Sequence, residues 1–244
     1  MDSKFLLDIS DDLTIMMVKA KALVDRIRRR FFVYQNCRRD LFQIPGTVLQ
    51  CRQPAARGGS MMKDICTVSV VTFHPVWGDK AANLKRIEEY IECAYRKGSN
   101  FVIFPEMSLT GYDDEADKPL KEKMQYREAE TVPGPSTLEV AELTKKLGIY
   151  AIFGMPVRDD KDPDTIYNGL AILSPRGVEG AYHKMHLPAP EPNWATRGDK
   201  PFILETEWGP IGCAICYDNY AFPELTRYYV AKGCRMLVNS TALA

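Results

Sequence analysis

The chain has 244 residues, 45% of them apolar and 26% charged, a balance that supports one sizeable core. Lys and Arg equal Asp and Glu at 32 each, so the zero net charge points to neither a nucleic-acid partner nor a steered acidic substrate. Residues 1–63 carry 12 Lys/Arg against 6 Asp/Glu, an excess of +6 that the remainder offsets, which sets this stretch apart as a segment of its own composition.

No run approaches the roughly 18 apolar residues of a membrane span. Asp2, Asp8, Asp11 and Asp12 interrupt the start where a signal peptide would place its apolar region, and they also argue against a transit peptide. The expectation is a cytoplasmic protein with no membrane partner. Seven cysteines at irregular spacing then read as free thiols.

In chain order, residues 4–42 predict one or two helices. Leu13, Met16, Met17, Ala20, Leu23, Val24 and Ile27 recur at helical spacing. Arg28, Arg29 and Arg30 form a basic cluster, read as the solvated face of an appended helix rather than a membrane-surface element. Residues 50–60 (QCRQPAARGGS) read as a linker. The predicted organisation is therefore a helical N-terminal extension over 1–63 and a catalytic domain over 64–244.

From Ile65 the pattern changes. Residues 66–73 (CTVSVVTF) predict a β-branched strand. Residues 83–97 predict an amphipathic helix with Leu84, Ile87, Ile91 and Ala94 on its apolar face, closed by Gly98. Strands follow at 101–104, 149–156, 170–173, 211–216 and 236–239, with helices at 137–147 and 224–232. Such alternation predicts a layered α/β domain.

Three reactive side chains stand at the ends of apolar runs, where a rigid sheet positions the first loop residues. Glu106 closes FVIFPE, and a carboxylate held at a core edge suits a general base. Lys184 lies in YHKMHL, among aromatic and apolar neighbours, where it can supply a fixed positive charge. Cys216 ends IGCAIC, at the passage from strand to loop that an exposed nucleophile needs. Cys213 forms a C-x-x-C with it, but residues three apart in a strand face opposite ways, so Cys213 reads as core filler. His183 and His186 invite a zinc reading. No third ligand lies at the required spacing, so no metal is expected.

Taken together, FPEMSLTGY, YNGLAILSPRG, YHKMHL and CYD…FPE resemble the carbon–nitrogen hydrolase (nitrilase) superfamily from about Ile65 to Ala244. The resemblance implies an α-β-β-α sandwich that assembles as homodimers or larger homo-oligomers. It also implies a Glu-Lys-Cys triad, matched here by Glu106, Lys184 and Cys216. A second glutamate that orients lysine and substrate is matched by Glu191. Lys184 and the backbone N–H of Tyr217 would stabilise an oxyanion, and no cofactor would be needed. Tyr217-Asp218 after the cysteine resembles the amidase and N-carbamoyl branches, whereas true nitrilases usually carry Trp-Glu. The implied substrate is a small linear amide or carbamoyl compound.

Two departures from the family pattern stand out. The CYD…FPE segment carries one extra residue, and the family domain continues beyond the point matching Ala244. The second departure predicts a C-terminally incomplete domain with exposed sheet edges, and leaves an inactive remnant or interaction module as the alternative reading. A Cys–His protease would require a histidine, rather than Glu106, as base.

Overall fold

The computed structural model describes residues 13–16, 62–113 and 115–242. Two sheets organise it. The larger holds strands β1 (Leu13–Met16), β2 (Val68–Val71), β3 (Phe101–Ile103), β4 (Tyr150–Arg158), β5 (Ile166–Ser174) and β6 (Gly177–His183) in that order. The smaller holds β7 (Phe202–Leu204), β8 (Ile211–Ile215) and β9 (Met236–Ser240).

Pairing is parallel from β2 through β4 and antiparallel for β1 with β2 and from β4 through β6. A parallel pair needs a crossover. Helix α1 (Lys80–Arg96) carries the chain from β2 to β3. Between β3 and β4 lie the five-residue α2 (Met124–Glu128) and α3 (Pro135–Leu147). Asp79 caps α1 by accepting from the Ala82 N–H at 3.0 Å, and Gly98 follows its end at φ +79°, a conformation that favours glycine.

The period-two alternation of the strands separates two apolar layers. Val71, Val102, Phe104, Ala151 and Phe153 face α1 and α3, packing against Leu84, Ile87, Ile91 and Val140. Phe101, Tyr150, Ile152, Leu170, Ile172 and Tyr182 pack instead against Leu204, Ile211, Cys213, Ile215 and Val238 of the smaller sheet. Phe101 stacks on Tyr150 at 4.6 Å between centroids, with Trp208 set edge-on at 5.3 Å from Phe101. Helix α5 (Pro223–Ala231) lies against β8, where a side chain on Gly212 would strike the Tyr229 ring. The layer order is α-β-β-α, as the family resemblance implies.

One expectation needs correction. Leu13–Met16, placed by their spacing in a helix, form strand β1, which pairs with Val68–Val71. The open edge of β2 offers these apolar residues a ladder that local periodicity does not reveal. The rest of the anticipated helical extension, its basic cluster and the linker lie outside the described residues. Among the described residues, no helix is long and apolar enough to cross a membrane.

Candidate active site

Glu106 sits three residues beyond the end of β3, and close backbone packing holds it there. Gly154 in β4 presses against this turn: a β-carbon on it would lie 2.2 Å from the Met107 nitrogen and 2.7 Å from the Glu106 α-carbon. The Gly154 N–H donates to the Pro105 carbonyl at 3.2 Å, and the Leu109 N–H donates to the Gly154 carbonyl at 3.0 Å. Lys184 follows β6 directly. Its carbonyl accepts from the Gly198 N–H at 2.8 Å, and a side chain on Gly198 would collide with the His183 carbonyl.

Cys216 follows β8 directly. The sequence pattern extends the strand through Cys216, but the structure ends it at Ile215 because Cys216 adopts φ +43° and ψ −103°. A non-glycine residue rarely takes a positive φ, and such strain recurs at functional sites. The Cys216 N–H still donates to the Ser240 carbonyl at 2.9 Å, anchoring the turn to β9. Tyr217 opens the four-residue helix α4 (Tyr217–Tyr220).

These elements bring the side chains together. The Lys184 Nζ donates to Glu106 Oε1 at 2.7 Å and to Glu191 Oε1 in a second, shorter bond. All three groups are buried. Burial opposes the lysine's charge, but the two carboxylates outweigh it and hold the ammonium above its ordinary value. Burial pushes Glu191 up despite its contact with Lys184. For Cys216, burial, together with the charge of Glu106 and a hydrogen bond to it, pushes the thiol up to about 11, with Lys184 partly offsetting them. At neutral pH the thiol therefore keeps its proton.

Further residues complete the cluster. The Asn168 Nδ2 donates to Glu106 Oε1 at 2.8 Å, and the Ala242 N–H donates to Oε2 at 3.0 Å. The Tyr112 hydroxyl donates to Glu191 Oε1 at 2.6 Å, and its phenol is pushed up by burial and by that carboxylate. Asp218 ties the lysine segment to the cysteine segment. Its carboxylate accepts from the Tyr182 hydroxyl at 2.7 Å and from the N–H groups of Met185, His186 and Ile215 at 3.1, 2.8 and 3.2 Å. Asn168, Tyr112 and Asp218 stand within the family-like motifs, but their sequence context does not reveal these contacts. The signal available was a buried polar residue inside an apolar run, as in YNGLAILS.

The remaining candidates are accounted for by packing. Cys213 is fully buried between the sheets, and burial pushes its thiol up to about 12. His183 stacks on Tyr167, while His186 stacks on Phe222 and contacts Asp218 through Nδ1 at 2.9 Å. Among the described residues, no group of three or more His, Cys, Asp or Glu could hold a metal.

Known proteins share this arrangement of elements. The carbon–nitrogen hydrolase family matches residues 67–243. A nitrilase of Pyrococcus abyssi is 28% identical over 178 residues, which cover 72% of this chain and 64% of that protein. An omega-amidase of Xenopus tropicalis is 34% identical over 170 residues, covering 65% of this chain and 57% of the relative. The chain thus spans less than two thirds of the length of these relatives. Saccharomyces cerevisiae Nit3, a member of branch 10 of the nitrilase superfamily, superposes with a TM-score of 0.63 at 26% identity, over 77% of this chain and 68% of that one. An amidase from Nesterenkonia sp. shares the fold, with a TM-score of 0.59 at 22% identity over 72% of this chain and 65% of its own. With the family match running from β2 through β9, the chain belongs to the carbon–nitrogen hydrolase family of the nitrilase superfamily.

Proposed function

We propose that this protein hydrolyses the C–N bond of a small linear amide or N-carbamoyl compound through a thioester on Cys216, releasing ammonia. The observation that carries the reading is the buried cluster in which Lys184 bridges Glu106 and Glu191, with Glu106 close enough for its charge to raise the Cys216 thiol. The similarity to omega-amidases favours an amide over a nitrile.

Glu106 takes the thiol proton as the sulfur attacks the carbonyl carbon. The proton moves within the cluster and the negative charge passes from Glu106 to the carbonyl oxygen, so the total charge of thiol, Glu106, Lys184, Glu191 and substrate does not change. This matters where burial penalises every new charge. The oxyanion forms beside the Lys184 ammonium and the Tyr217 N–H, and one such donor is worth roughly 3–4 kcal/mol. Glu106 returns its proton to the leaving amine and then activates the water that opens the thioester. Glu191 holds the lysine through Oε1. Its Oε2, buried and without a donor among the described residues, is an acceptor suited to the substrate's amide N–H.

The test is ammonia release by the 244-residue chain from parallel panels of small amides, N-carbamoyl compounds and nitriles. Turnover confined to the first two panels, and lost in Cys216→Ala, supports the proposal. Turnover of nitriles alone, or equal rates in Cys216→Ala, overturns it.

A further inference from the structure

Asn168 lies in β5 with no exposed surface, and its side-chain amide is engaged on one side alone. Nδ2 donates to Glu106 Oε1 at 2.8 Å. Oδ1 is buried and finds no donor among the described residues. A buried acceptor left unpaired is unfavourable, and an apolar residue of similar shape would avoid that penalty. The bond that distinguishes asparagine from leucine at this place is therefore the one to Glu106.

The two oxygens of Glu106 are held differently. Oε1 accepts from both Lys184 at 2.7 Å and Asn168 at 2.8 Å, which occupies both of its in-plane lone pairs. Oε2 accepts from the Ala242 N–H at 3.0 Å, which leaves its second lone pair free of that bond. Lys184 by itself would leave the carboxylate able to turn about its last torsion, which is a soft one. A second donor on the same oxygen, from a different strand, removes that freedom.

We propose that Asn168 is a positioning residue for the base: by saturating Oε1 together with Lys184, it commits Glu106 Oε2 to receive the Cys216 proton. The inference rests on the reading of Glu106 and Cys216 given above. In the step concerned, the S–H bond breaks and an O–H bond forms on Oε2. The electron pair stays on sulfur and makes the C–S bond.

Asn168→Asp and Asn168→Ala separate positioning from packing. Aspartate keeps the shape of asparagine but sets an acceptor where the donor stood. Alanine removes the shape and the donor together. Positioning predicts that aspartate is the more damaging. Both variants should lose about 10-fold to 100-fold in kcat, reaching at most the lower end of the roughly 100-fold to 10,000-fold ascribed to general-base catalysis, while KM changes by less than about 3-fold.

The acidic limb of the pH–rate profile should move up in Asn168→Ala and further in Asn168→Asp, since a carboxylate stripped of a donor holds its proton more readily. The same limb is read without any substrate by following iodoacetamide alkylation of the Cys216 peptide by mass spectrometry across pH. If the wild-type chain turns over no amide, the functional reading fails, but the alkylation profile still tests the role of Asn168 by itself. An acidic limb unmoved in both variants, or a loss larger in alanine than in aspartate and matching the drop in folded fraction, overturns the proposal.

Discussion

The Lys184 ammonium stands 2.7 Å from Glu106 Oε1, with both side chains fully buried. It also bonds Glu191, so one cation serves two carboxylates. Removing either partner of such a contact exposes the other to an uncompensated interior, which decides how the site responds to mutation.

Lys184→Met should cost about 3–5 kcal/mol of stability as well as all measurable activity. Two buried carboxylates then face each other without a cation and are driven to take up protons. Their preference for the neutral form makes the variant's stability higher at low pH and lower as pH rises. Adding Glu106→Gln should recover part of the loss, because one of the two charges is gone. Thermal melts of the single and double variants at pH 5 and pH 8 check this. A Lys184→Met melt equal to wild type at both pH values would contradict the buried pairing.

Gly154→Ala should impair the site from a distance. Its β-carbon would collide with the Met107 nitrogen and the Glu106 α-carbon, and backbone cannot yield as a flexible side chain can. We expect a loss of about 1–3 kcal/mol, the range for overpacking, and a fall in kcat of more than 10-fold as the base moves off its line to Cys216. Steady-state kinetics with a parallel chemical melt separates the two effects.

Asp218→Ala should uncouple the lysine and cysteine segments. It strips acceptors from Tyr182, Met185, His186 and Ile215 at once, and each bond to a charged group is worth about 1.5–3 kcal/mol. Destabilisation of at least about 3 kcal/mol with loss of turnover is expected, and Asp218→Asn should be milder because it keeps acceptor oxygen. Denaturant titration of the three proteins measures the order.

Alkaline pH should weaken the fold through its thiols. Burial holds Cys213 near 12, while burial and the charge of Glu106 hold Cys216 near 11; both start from an ordinary value of 9.0. A raised value means that the folded state keeps the proton the unfolded chain has released. The stabilisation is therefore complete below pH 9 and is lost as pH climbs through 11 to 12. Melting temperature should fall between pH 9 and 11, and Cys213→Ala should flatten that fall while lowering stability at neutral pH through a small cavity. A Cys213→Ala curve parallel to wild type would count against the burial of this thiol.

The parts of the fold that the sequence made legible share a physical origin. The strands at 101–104, 149–156 and 211–216 and the helix around Leu84, Ile87 and Ile91 are long or strongly patterned enough for burial to leave a periodic trace. The triad was legible because Glu106, Lys184 and Cys216 each close an apolar run within a family-like segment. Other features depend on partners far along the chain. Strand β6 carries Gly177, Gly180 and Glu179, which argue against a strand locally, yet β5 supplies its ladder. Strand β7 is three residues long, too short for any period. Asn168 and Asp218 look like ordinary polar residues until folding sets them against Glu106 and the Lys184 segment. Asp218 is thus a structural clamp between the two segments.

The most direct test is to incubate the protein with an amide that it turns over, quench in acid and weigh the intact chain, comparing wild type, Glu106→Gln and Cys216→Ala. The expected result is an acyl adduct on the Cys216 peptide of the wild type, strongly reduced adduct formation in Glu106→Gln, and none in a Cys216→Ala chain that melts close to wild type. Ammonia released at the wild-type rate by Cys216→Ala, or an adduct on any other residue, would contradict it.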